Sequence, residues 1–205
     1  MKKSIITRET ILQAGKTEFL EKGYKDANVR QIASRAGVTT GAIYSYFTDK
    51  KAIFEALVEP VAGDFMNRFE KALNSFTLLP NDDQIKEVHG YCDYELGGIL
   101  HHIYNHFDCF RLITCCSSGT PYENYIDRLV DLEAEATVRF IDVLKQQGYQ
   151  PPELSFNLIH ILSNAYFSTV FEAVAHNMDK QEADAYVEHI TTFFTAGWDS
   201  LLKLQ

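Results

Sequence analysis

Residues 28–47, NVRQIASRAGVTTGAIYSYF, constrain this chain more than any other stretch. Val29, Ile32, Ala33 and Ala36 recur at i, i+3, i+4 and i+7, the spacing of one buried helical face. Gly37, Val38 and Thr39 interrupt that pattern, and a second, short helix is expected from Thr40 to about Phe47. Thr39 suits its N-cap, and Val38 and Ile43 have the spacing of a hydrophobic staple. Two helices joined by a three-residue turn containing glycine form a helix-turn-helix, whose second helix enters a DNA major groove in proteins that use it so. Ile43 and Phe47, four apart, would anchor that helix, leaving Thr40, Gly41, Ala42, Tyr44, Ser45 and Tyr46 on outward faces.

The flanking residues fit the same use. Ile11, Leu12, Gly15, Phe19 and Leu20 form the stripe of an earlier helix, which Gly23 is expected to stop by taking a positive φ. Small residues at the start of the short helix permit close approach to base edges, and tyrosine hydroxyls suit phosphate oxygens. Lys50 and Lys51 fall in the first turn of the next helix, where the macrodipole disfavours a cation. An external phosphate would account for them. Charge is also divided unevenly. Residues 1–51 hold ten Lys/Arg against five Asp/Glu, and residues 52–205 hold nine against twenty-three, so a net charge of -9 hides a basic head on an acidic body.

The run NVRQIASRAGVTTGAIYSYFTDKKAIFEALV closely resembles the DNA-binding signature of the TetR (tetracycline repressor) family of transcriptional regulators. The resemblance covers about residues 7–58, including ILQAGKTEFLEKGY. It implies an all-α chain with a three-helix head, residues 1–51, continuous with a larger helical effector-binding and dimerisation domain, residues 52–205. It makes 28–36 the supporting helix, with Arg30, Thr39 and Gly41 among the DNA-facing residues, 40–46 the recognition helix, and Tyr44, Tyr46 and Lys50 phosphate clamps. Thr40, Ala42 and Ser45 depart from commoner family residues, which bears on the operator sequence. The function implied is a repressor that binds a pseudo-palindromic operator as a homodimer, through the last two helices, and leaves it on binding a small molecule.

The remainder reads as helix: Asp49 to about Phe76 with Pro60 as a bend, Asn81 to about Cys115 with a break near Gly97-Gly98, Tyr122–Gln147, 153–177 and roughly Gln181–Leu204. No segment alternates as a strand should. The helices at 153–177 and 181–204 are apolar around more than one face, which calls for burial on several sides. No apolar run is expected to span a bilayer, no signal-peptide block follows MKKSIITRETILQ, and four cysteines without CxxC spacing suit a reducing cytoplasm.

Glu133 sits where the stripe Ile126, Val130, Thr137, Phe140 and Leu144 calls for an apolar residue. One reading is a pocket acid facing a polar or cationic ligand. The more ordinary one is an acid at the stripe's edge, paired or solvated. Phe65, Tyr94, Phe110, Phe140 and Phe167 would suit an aromatic cavity, although aromatics at helical spacing also build plain cores. Asn164, a lone amide in an apolar helix, can serve a ligand or a dimer register. His89, Cys92, His101, His102, His106, Cys109, Cys115 and Cys116 cluster in sequence. His102 and His106, four apart, can share a metal or line a ligand site, but no third metal ligand is fixed by spacing, so a metal- or redox-responsive regulator is the alternative reading. No metal or cofactor is expected. An all-helical enzyme is the rival from another class, and no nucleophile–base pair has diagnostic spacing for it.

Overall fold

The structure is a computed structural model that describes residues 2–204, apart from the side chains of residues 2–7 and 91–97. Tyr94 and Cys92 therefore lie outside the described residues. The elements described are all helices: α1 Lys2–Asp26, α2 Val29–Ala36, α3 Thr40–Tyr44, α4 Lys50–Thr77, α5 Asn81–Asn105, α6 Phe107–Cys116, α7 Tyr125–Gln146, α8 Phe156–Ala175 and α9 Lys180–Leu202. Gly23 breaks the regular path of α1 with φ 71°, one turn before its end. Pro60 lies inside α4, which continues through it.

By packing, the chain forms two compact units. The first comprises residues 1–64 and 106–125 and the second 65–105 and 126–205. The first is larger than the head expected at 1–51, because α6 and the turn after it pack with the N-terminal helices. Its core is Ile11, Phe19, Ile32, Ile43, Ile53, Phe54, Val58 and Phe110, all fully buried. Burying each such side chain contributes on the order of 1.5–3 kcal/mol. Phe54 meets Phe19 edge-on at 5.2 Å and Tyr24 at 5.4 Å, and lies 6.1 Å from Tyr122. The Tyr125 hydroxyl donates to the Ala62 carbonyl at 2.8 Å, and that of Tyr122 donates to Glu59. At Gly15, α1 comes so close to α4 that an added Cβ would stand 2.8 Å from Ile53 Cγ2.

The second unit packs α5, α7, α8, α9 and the later turns of α4. Ala134, Phe140, Ile141, Leu144, Ile159 and Leu202 form one buried cluster, and Leu100, Val170 and Val187 another. Tyr186 donates to the Thr169 carbonyl at 3.0 Å, tying α9 to α8. By length and composition α8 could cross a membrane, contrary to the sequence expectation, yet Ile159, Phe167, Val170, Phe171 and Val174 are buried in this unit.

The expected break at Gly97-Gly98 is absent. Glycine in a helix interior costs only about 1 kcal/mol, and α5 runs through both to Asn105. The chain breaks at His106, whose φ of -129° and ψ of 36° leave the helical path.

Candidate functional site

Local rules build the helix-turn-helix. Asn28 caps α2, its side-chain oxygen accepting from the Arg30 N–H at 2.9 Å. Gly37 ends α2 at φ 65°, and the Val38 N–H returns to the Ala33 carbonyl at 3.0 Å, closing the turn as a left-handed cap does. Thr39 caps α3 by accepting from the Ala42 N–H at 3.2 Å. Ile43 is fully buried and Phe47 nearly so, with the Arg8 guanidinium 5.4 Å from the Phe47 ring centre. The anchors expected from sequence thus hold α3, although it spans only Thr40–Tyr44.

Its outward residues form one face. Thr39, Gly41, Tyr44 and Ser45 are exposed, Thr40, Ala42 and Tyr46 are half-buried, and Tyr44 keeps 55% of its surface. Ser45 donates to the Ala42 carbonyl at 2.7 Å. Arg30, Thr40, Tyr44 and Lys50 line one depression together with Asp26 and Asp49.

Lys50 has a different employment from the one its helix position implied. Its ammonium donates to the carbonyls of Tyr24 at 2.5 Å, Ala27 at 3.0 Å and Lys25 at 3.1 Å, and lies 4.5 Å from the Tyr24 ring centre. All three donors are spent on the carbonyl end of α1, so the lysine needs no external anion. Burial lowers its pKa. A second tie, not visible in sequence, is Glu18. This buried carboxylate accepts from the Asn28 N–H at 3.3 Å and from Arg35 Nε at 3.1 Å, clamping both ends of α2 to α1.

In the second unit a cavity of about 190 Å³ opens among α4, α5, α7, α8 and α9. Phe69, Phe76, Phe140, Phe167, Phe194 and Trp198 stand in its wall. Glu133 lies in that wall and is half-buried. Burial pushes its carboxyl up to about 7, against smaller opposing effects from a Thr137 hydrogen bond and the Arg139 charge. His89 and Asp199, both in the wall, face each other at 2.8 Å.

Of the residues singled out for a ligand, Glu133, Phe140 and Phe167 share this cavity, whereas Phe65, Phe110, His102, His106 and Asn164 are not in its wall. The Phe65 ring lies tilted against that of His102 at 5.5 Å, Phe110 belongs to the core of the first unit, and the Asn164 amide oxygen accepts from Ser168 at 3.3 Å. Among the described residues no three His, Cys, Asp or Glu side chains gather as ligands. Cys109 and Cys116 are buried thiols and Cys115 is exposed, and burial pushes the Cys109 thiol up to about 12. Sequence reasoning missed Trp198 and the His89–Asp199 pair, since only the folding of α5 and α9 onto α7 brings them together.

The family model for bacterial regulatory proteins of the tetR family matches residues 11–57. The head belongs to the tetR family. Over 89 residues the chain is 36% identical to the uncharacterized HTH-type transcriptional regulator YdgC of Bacillus subtilis, covering 42% of this chain and 44% of that one. Over 52 residues it is 48% identical to the HTH-type transcriptional repressor BepR of Brucella suis, 25% of each. The chain therefore spans less than half the length of these relatives. Its fold is that of the regulator FadR from Bacillus subtilis, solved with stearoyl-CoA, at TM-score 0.56 and 16% identity over 92% of this chain and 98% of that one.

Proposed function

We propose that the chain is a cytoplasmic transcriptional regulator, a repressor that binds a pseudo-palindromic operator as a homodimer and is released by a small molecule. The observation that carries this is the outward face of α3, with small residues first and tyrosines after, held by Ile43 and Phe47 within a tetR-type head. Thr39, Thr40, Gly41, Ala42 and Ser45 approach the bases, Tyr44, Tyr46 and Arg30 contact backbone phosphates, and Lys50 holds the elements in place from within. The net charge of +5 on residues 1–51 suits that role. Residues 1–51 are the DNA-binding part and 52–205 the effector and dimer part in this reading.

Dimerisation is supported by apolar side chains left exposed on the last two helices: Leu158, Ile161 and Phe193 keep 39%, 61% and 71% of their surface. A two-fold pairing of α8 and α9 with their symmetry mates would cover them. The cavity is the effector site. Among the described residues its wall holds no lysine or arginine, so it is not suited to an anionic head such as that of the ligand in the FadR structure. An effector releases DNA only through unequal affinity for the DNA-competent and released forms.

Footprinting on DNA flanking the chain's own gene tests the proposal, with a Tyr44→Ala variant beside it. A two-fold protected site that weakens in the variant is the expected result. Turnover of a substrate without any DNA binding at low salt would overturn it.

A further inference from the structure

The cavity's charge balance is one-sided. Among the described residues, its ionisable wall side chains are Glu133 from α7, His89 from α5, Asp199 from α9 and Tyr166 from α8. His89 and Asp199 are engaged with each other. Arg139, the nearest cation acting on Glu133 along α7, is exposed and lies 3.8 Å from Glu135. Glu133 is therefore a carboxyl in an aromatic chamber whose described wall offers it no lysine or arginine. A buried carboxylate without a cation is costly, and a neutral occupant leaves that cost in place. An anionic occupant adds like charge to it. A cationic one removes it, and the faces of Phe140, Phe167 and Trp198 add cation–π attraction. Size limits the occupant further: apolar cavities of about 150 Å³ take up benzene, and this one measures about 190 Å³.

We infer that this cavity binds a small lipophilic amine as its cation, one ring deep among the aromatic side chains, with the ammonium on the Glu133 carboxylate. This rests on the reading of the cavity as the effector site, and it names the chemical class that site selects. Thr137, one turn along α7, hydrogen-bonds the carboxylate and orients it. Ser163, Thr191 and Thr195 provide hydroxyl oxygens in the same wall for the remaining ammonium protons.

Trp198, the single tryptophan of the chain, lies in the wall and reports occupancy by its fluorescence. The full chain is titrated at pH 8 with 2-phenylethylamine, 2-phenylethanol and phenylacetate, which match in ring and differ in charge. The amine is expected to bind roughly tenfold to a hundredfold more tightly than the alcohol, the range of a charge-assisted hydrogen bond, and phenylacetate most weakly. In Glu133→Gln the amine's advantage disappears while the alcohol still binds, which also shows that the variant keeps its cavity. Equal affinity of amine and alcohol in the unaltered chain, or an amine preference that survives Glu133→Gln, overturns the amine assignment and leaves the cavity a ligand site. Failure of all three to bind at millimolar concentration overturns both readings.

Discussion

Replacing Glu133 by Gln should alter how stability depends on pH, in a direction fixed by where its carboxyl sits. Unfolded, that carboxyl has its ordinary value near 4.5; folded, burial raises it to about 7. The folded state thus holds the proton more tightly between those values. Stability from this group is fully present at low pH and is lost as pH rises through the folded value. At about 1.4 kcal/mol for each pH unit of displacement, the loss between pH 5 and 8 comes to about 2–3 kcal/mol. Glutamine cannot titrate, so Glu133→Gln removes the slope. His89 on α5, Asp199 on α9 and Arg139 on α7 are common to both proteins, and their effects cancel in the difference. The assay is thermal unfolding of both proteins at pH 5, 6, 7 and 8. For a chain of this size 1 kcal/mol moves Tm by about 2–4 °C, so the variant's Tm should gain roughly 5–10 °C on the unaltered protein across that range. Parallel profiles would mean that the carboxyl is solvated, and the argument for a desolvated acid would fail.

Other perturbations test separate parts of the molecule. Gly15→Ala places a methyl 2.8 Å from Ile53 Cγ2 and should cost about 1–3 kcal/mol through overpacking, read as a lower midpoint in urea unfolding. Lys50→Met strips the donor from three carbonyls at the end of α1. It should destabilise the head by about 1–3 kcal/mol, visible as faster hydrogen exchange in α1 and α2 without DNA present. Ile161→Glu with Phe193→Glu puts charge on the exposed apolar surface of α8 and α9. Light scattering should find this variant monomeric where the unaltered chain is dimeric, with far-UV circular dichroism unchanged.

The head was legible because its determinants are local. The Gly37 turn, the Thr39 cap and the Ile43–Phe47 anchors act within a few residues of one another, so spacing alone located α2 and the start of α3, although α3 ends three residues sooner than expected. The internal partners of Lys50 were not legible for the opposite reason: its carbonyl acceptors lie 23–26 residues away in sequence. The helix dipole gave the correct reason to look for a counter-charge, but the protein supplies it from the end of α1. Glu18 escaped notice because a glutamate read from sequence alone looks solvated until α2 folds over it. In the second unit, Glu133 stood out against the apolar stripe of α7. Phe65 and Phe110 could not be distinguished from Phe140 and Phe167, since an aromatic side chain at helical spacing looks the same in a core as around a cavity. The break at His106 had no glycine or proline to announce it, whereas Gly97-Gly98 announced a break that the helix does not make.

The first unit is assembled from two stretches of chain, residues 1–64 and 106–125. During synthesis, α1 to α3 emerge early, but Tyr122, which completes the aromatic cluster around Phe54, and the hydrophobic face of α6 come roughly sixty residues later. At about 5–20 residues per second that delay is on the order of 3–12 s, during which Phe19, Tyr24 and Phe54 lack part of their cover. A stop codon anywhere before residue 125 therefore yields a first unit that is unfinished as well as bodiless.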